Sequence, residues 1–253
     1  MRFGSINYEV KGRVAILTLD EPSKLNALSE SILQGLDQGL NQAESDEQVR
    51  AIIIASSHEK VFCAGADISG FQFTTHAVSA FIDTALDILS KPERCAKPVI
   101  ALVNGLALGG GLELSMACDF VLSSDKARFG VPEIQLGLLP GFGIVRLPER
   151  VGRQNAKALS MKGDPISAKE AEAMDLVLRV VPHDELMAEG LAFAEKIASK
   201  PRIAIKLAKQ AYNRNLGGQD TTYAKGAMSF LFLSEDAVEG INAFREKRKP
   251  NFS

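Results

Sequence analysis

KPVIALVNGLALGGGLELSMACD, Lys97 to Asp119, is the stretch that decides the fold. VIALV reads as a short buried strand. NGLAL reads as a loop, and Gly109-Gly110-Gly111 then open a helix. Glycines at a strand-to-helix junction let a ligand approach the backbone closely and leave the first helical N–H groups free. Those groups, with the positive end of the helix dipole, suit an anion or a developing oxyanion. The spacing is neither the G-x-G-x-x-G dinucleotide fingerprint nor a P-loop, which needs a following Gly-Lys-Ser/Thr. Nucleoside triphosphates are therefore not expected. From Leu112 to Cys118 the segment is apolar nearly all round, as in an internal helix, yet Glu113 lies within it. An acid in a first turn can simply complement the dipole. A lone buried carboxylate, however, is costly unless it is paired, hydrogen-bonded or neutralised. Desolvation raises its pKa, which suits proton transfer near neutral pH.

Working outward, strands and helices alternate. INYEVKGRVAILTLDEP reads as a hairpin with its turn at Lys11-Gly12, and Pro22 ends it. Ser29 is a good N-cap for a helix whose apolar residues Ile32, Leu33, Leu36 and Leu40 share a face. RAIIIASS is a buried strand, VFCAGADISGF a loop after it, and Thr75–Leu89 a helix. DFVLSSD is a further β-like run. This order predicts an α/β core with parallel pairing. After Pro182 the pattern turns helical, over His183–Lys200, Ile203–Arg214 and Thr221–Phe244. The expected division is a core over residues 1–182 and a helical lid or oligomerisation region over 183–253.

Composition bounds the partners. The 253 residues carry a net charge of -2 and are 24% charged, so neither nucleic acid nor a membrane surface is an expected partner. Cys63, Cys95 and Cys118 are odd in number, lack metal-type spacing, and read as reduced thiols. No run approaches the roughly 18 apolar residues of a membrane span, and the start lacks the apolar region of a targeting peptide. A soluble protein of the cytoplasm, or of an organelle matrix, is expected.

Two further segments bear on chemistry. In FCAGADI, Gly65 permits an unusual backbone and the Ala66 N–H can face a ligand; the alternative is a plain turn capped by Asp67. In ARFGVPEIQLG, Glu133 sits among apolar residues behind Pro132; the alternative is an exposed turn acid. Cys63 reads as a packed residue. His58, His76 and His183 lie outside these loops. The sequence has no G-x-S-x-G elbow and no metal-ligand cluster.

Taken in order, PSKLNALS, FCAGADI, KPVIALVNGLALGGGLELSMACD, ARFGVPEIQLGLLPGFG, ISAKEAEAMDLVLRVV and AFREKRKPNF resemble the enoyl-CoA hydratase/isomerase, or crotonase, superfamily over nearly the whole chain. The resemblance implies a spiral of β-β-α units with a C-terminal helical extension, assembled as a homotrimer or homohexamer. It implies an acyl-CoA thioester substrate and no metal or cofactor beyond the CoA moiety of that substrate. By the same resemblance the Ala66 and Gly110 N–H groups form an oxyanion hole, and Glu113 and Glu133 are the catalytic acids of an enoyl-CoA hydratase, a carbon–oxygen lyase. CoA would lie along Lys24, Leu25, Ala64, Ala66, Asp67, Ile68 and Gly110, with Lys247 reaching a phosphate. A Δ3-Δ2 enoyl-CoA isomerase, or other crotonase-type acyl-CoA chemistry, is the second reading. A non-enzymatic scaffold or RNA-binding relative is disfavoured by the near-neutral charge and the intact acid pair. Two departures stand out. PGFGIVRL, Pro140 to Leu147, replaces the family's longer PGxGGTQRL beside the acyl pocket. Asp175 stands where the family has Gly, at an expected helix C-terminus.

Overall fold

The computed structural model describes residues 1–67, 83–213, 235, 239, 243 and 246–251. Two sheets carry the fold. The larger is ordered β1-β2-β3-β4-β6-β8-β11, from strands Arg2–Phe3 (β1), Ile6–Lys11 (β2), Val14–Leu19 (β3), Ala51–Ser56 (β4), Val99–Val103 (β6), Phe120–Ser124 (β8) and Arg179–Val181 (β11). The smaller is ordered β10-β9-β7-β5, from Val61–Cys63 (β5), Leu106–Leu108 (β7), Arg128–Gly130 (β9) and Ile166–Ser167 (β10).

The pairs β4/β5, β6/β7 and β8/β9 each give one strand to each sheet before the chain moves on, and these six strands pair in parallel with one another, whereas β1–β2, β2–β3 and β9–β10 are antiparallel. Helices follow each pair: residues 83–89 (α2) and Lys91–Arg94 (α3), then Gly110–Ala117 (α4), then Gly143–Lys162 (α5) and Ala168–Ala173 (α6). This is the expected β-β-α spiral. The first helix, Glu30–Ser45 (α1), starts where its sequence predicts, with the Ser29 side chain accepting the Ile32 N–H.

Strands β3, β4 and β6 read as nearly continuous apolar runs, interrupted at Thr18 and Ser56, because both of their faces are covered. One face packs into the main core with α1 and α4, through Leu17, Ile52, Ile54, Leu36 and Leu112 among others. The other lies under helix Leu186–Ala198 (α7), whose Leu186, Ala194 and Ala198 meet Ile16, Ile53, Ile100 and Leu102. Helix Arg202–Asn213 (α8) follows.

Several expectations need correction. Val61–Cys63 and Leu106–Leu108 are strands, not loops, because each pairs within the smaller sheet. Three residues are too few to show a period, so only their partners reveal them. The hairpin turn is Gly12-Arg13, since Lys11 still pairs with Val14. Helix α5 was not anticipated: Pro148 and the non-helical Gly152 (φ 74°, ψ 157°) break its pattern. Asp175 does adopt the left-handed conformation, φ 64°, just past α6. Residues 75–82 of the expected Thr75–Leu89 helix, and most of Thr221–Phe244, lie outside the described residues. Among the described residues no helix is long and apolar enough to cross a membrane.

Candidate active site

Helix α4 follows directly on β7 of the smaller sheet and packs against both β7 and β5. Gly109, its N-cap, has φ 50° and ψ -124°, a conformation closed to other residues. Its N–H donates to Gly130 O at 2.9 Å, and its carbonyl accepts the Glu113 N–H at 3.0 Å. Gly65, φ 102°, folds against the same point: a methyl there would lie 2.9 Å from Leu108 O and 3.5 Å from Gly110 N. A methyl on Gly110 would lie 3.7 Å from Ala66 N. The Ala66 and Gly110 amides are thus neighbours, and neither N–H donates to another backbone group among the described residues. A lone β-bridge between Leu28 and Ala66 fixes the Ala66 loop.

Glu113 is buried. Its Oε1 accepts the Gly143 N–H at 2.7 Å, the first residue of α5. Burial pushes its carboxyl pKa up to about 7; the Gly143 and Phe142 amides oppose that shift and the charge of Glu133 adds to it. Glu133 is half-buried on a 3-10 turn, Pro132–Leu136. A methyl on Gly109 would stand 2.9 Å from its Oε1, so this carboxyl lies against the start of α4. Its Oε2 is buried with no hydrogen-bond partner, and desolvation raises its pKa. An unpartnered buried carboxyl oxygen is costly, and a ligand or water at this point would satisfy it. Two neighbouring backbone amides at the start of α4, with one carboxyl of raised pKa against that start and another inside the helix, are groups of the kind that can polarise a carbonyl and move protons.

The 22–28 segment borders this site. Leu25 and Asn26 both have positive φ, 54° and 51°. Asn26 is fully buried: its Oδ1 accepts the Glu21 N–H, and its Nδ2 donates to Ser56 Oγ at 2.8 Å and Phe62 O at 3.3 Å. Backbone bonds Ala64 N–H to Leu25 O (3.2 Å) and Leu28 N–H to Gly65 O (2.7 Å) zip this segment to the Ala66 loop. Lys24 pairs with Asp67 at 3.0 Å across the two.

The structure therefore brings together Lys24, Leu25, Ala64, Ala66, Asp67, Gly110, Glu113 and Glu133. Ile68 lies outside the described residues. Lys247 sits in an exposed turn with φ 54°, and no hydrogen bond or ion pair among the described residues joins it to this site. Sequence reasoning missed Gly143 and Asn26. Gly143 lies in PGFG, a turn signal that carries no hint of which side chain its amide meets.

The chain matches the enoyl-CoA hydratase/isomerase family over residues 9–253. It belongs to that family. Among family members it is similar to a probable enoyl-CoA hydratase of Rhizobium meliloti (strain 1021), 43% identical over 100% of this chain and 99% of that one. It is 41% identical to a short-chain-enoyl-CoA hydratase of Clostridium acetobutylicum, over 98% of this chain and 97% of the relative. The crystal structure of an enoyl-CoA hydratase from Bacillus anthracis superposes with a TM-score of 0.93 at 36% identity, covering 98% of each chain. The crotonase fold of this family member is thereby established.

Proposed function

We propose that the protein is an enoyl-CoA hydratase that adds water syn across the 2,3 double bond of an enoyl-CoA thioester. The observation that carries this is the junction at α4: two neighbouring backbone N–H groups, Ala66 and Gly110, beside the carboxyls of Glu113 and Glu133. The amides receive the thioester oxygen and stabilise the charge that develops on it. Glu113, in its ionised form, orients the water and takes its proton as oxygen adds at C3. Glu133, whose pKa burial raises, gives a proton to C2. A raised pKa on both acids suits a proton exchange near neutrality. Relatives named short-chain-enoyl-CoA hydratase and crotonyl-CoA hydratase support a short-chain substrate. CoA lies along the Lys24–Leu25 and Ala64–Asp67 segments in this reading, and nothing beyond the CoA moiety is needed as cofactor.

The reading includes a homotrimer or homohexamer. Leu136, Leu138 and Leu139 before α5, and Val145 in its first turn, are all more than half exposed, an apolar surface suited to burial against a second copy.

Glu113→Gln and Glu133→Gln test the chemistry. Each should lower the hydration rate of crotonyl-CoA about 10²–10⁴-fold while CoA-ester binding persists. Loss of the conjugated-enoyl absorbance reads the rate. A variant of either kind that turns over like the wild type removes that glutamate from the mechanism.

A further inference from the structure

Helix α4 is eight residues long, and every one of them is buried. Its N-terminus carries the proposed oxyanion donor. Its other end poses a separate problem, because the last carbonyls of a buried helix cannot turn to water. The last turn contains no basic residue. Two of those carbonyls are satisfied from within: Cys118 N–H donates to Ser115 O at 3.2 Å and Cys118 Sγ to Leu114 O at 3.4 Å.

The cation comes from α5. Nη2 of Arg150 donates to Met116 O at 2.6 Å and to Cys118 O at 2.9 Å. Arg150 is seven residues beyond Gly143, whose N–H holds Glu113. Helix α5 thus holds α4 at two points, by an amide at the Glu113 carboxylate partway along it and by a guanidinium at its carbonyl end. A positive charge at a helix C-terminus opposes the negative end of the dipole, so the field at the N-terminus is left less compensated. The span is short: eight residues rise about 12 Å.

We propose that Arg150 is a positioning residue for the oxyanion hole, fixing where α4 presents the Gly110 N–H and strengthening its field. The N-terminal end of α4 is set sideways by contact, since a methyl on Gly111 would lie 2.2 Å from Cys63 O. Arg150 adds a direct tie on the last carbonyls of the helix, beside the anchor that Asp119 makes with Val99 and Lys209 just past its end. An error of about 1 Å in the placement of the helix costs on the order of 10²-fold in rate. This proposal rests on the acyl-thioester reading above.

The test compares Arg150→Met, which keeps the aliphatic stem, and Arg150→Lys, which keeps the charge, with the wild-type protein. Three quantities are measured: kcat and KM for crotonyl-CoA, the melting temperature, and the infrared carbonyl stretch of bound, carbonyl-labelled butyryl-CoA. That thioester is saturated and cannot be hydrated, and its stretch falls as the carbonyl is polarised. Arg150→Met should lower kcat about 10- to 100-fold with little change in KM. The bound carbonyl should move back toward its free value, and Arg150→Lys should recover part of both effects. A Met variant that melts lower, yet keeps the wild-type kcat and carbonyl stretch, makes Arg150 a structural prop only and overturns the proposal. Should the Met variant not fold, Arg150→Gln takes its place, and a wild-type stretch in it overturns the proposal equally. If wild-type protein leaves the carbonyl at its free value, the acyl-thioester reading itself fails, and the proposal with it.

Discussion

Glu113 shows how one side chain trades stability against chemistry. Its carboxyl titrates near 4.5 as a free group and at about 7 in the folded protein, because burial favours the neutral form. Between those values the unfolded chain has already lost the proton that the folded chain keeps. Folding stability therefore falls as pH rises through this window and levels off above it. At full ionisation the cost is on the order of 3 kcal/mol. Glu113→Gln, which cannot ionise and keeps an oxygen for the Gly143 N–H, should melt higher than the wild type above pH 7. The gap should open between pH 4.5 and 7, and melts across that range read it; a gap that stays flat with pH would contradict the assignment. The sequence made Glu113 conspicuous because a carboxylate in an apolar helix is an unresolved cost. Glu133 was far less legible, since a turn acid is usually exposed and only the structure puts its Oε2 out of reach of water.

At the scale of elements, α4 is held by contacts that admit no side chain. A methyl on Gly111 would meet Cys63 O, a backbone atom of β5, at 2.2 Å, so Gly111→Ala must push the helix off the strand. Gly110 differs, because its methyl would meet Leu28 Cδ1 at 2.5 Å, the end of a movable side chain. Gly110→Ala should cost about 1–3 kcal/mol as an overpacked site, and Leu28→Val in the same chain should restore part of it. Gly111→Ala should cost more, with no such rescue. Denaturant titration of the four proteins checks both statements. The three glycines were visible as a helix start from the sequence alone. Which of them faces a backbone, and which a side chain, depends on strands β5 and β7, too short to announce themselves.

At the scale of the whole molecule, a buried ion pair ties α8 to the core. Lys209 Nζ lies 2.7 Å from Asp119 Oδ2 and donates to Pro92 O (2.6 Å) and Lys97 O (2.9 Å). Asp119 Oδ2 also accepts the Val99 N–H at 2.8 Å, so one carboxylate joins α8, β6 and the end of α4. Burial raises the Asp119 pKa even with Lys209 beside it. Lys209→Met leaves that carboxylate uncompensated and should cost about 3–5 kcal/mol. Adding Asp119→Asn should return part of the loss, as contacting residues do not act additively. Equilibrium unfolding of the two single variants and the double variant measures the coupling.

The sequence by itself determined the alternation of strands and helices, the glycine-rich opening of α4 and the oddity of Glu113. Each is a local matter of side-chain period, backbone freedom or the cost of burying a charge. The apolar runs of β3, β4 and β6 declared their burial because both faces are covered. Only the tertiary structure decided that Gly143 holds Glu113, that Arg150 and Lys209 meet the far end of α4, and that Val61–Cys63 and Leu106–Leu108 are strands. Those contacts join residues from 30 to 90 positions apart, as with Gly143 and Glu113 or Lys209 and Asp119. No period or spacing along the chain encodes such a meeting; it follows from packing one turn of the spiral on the next.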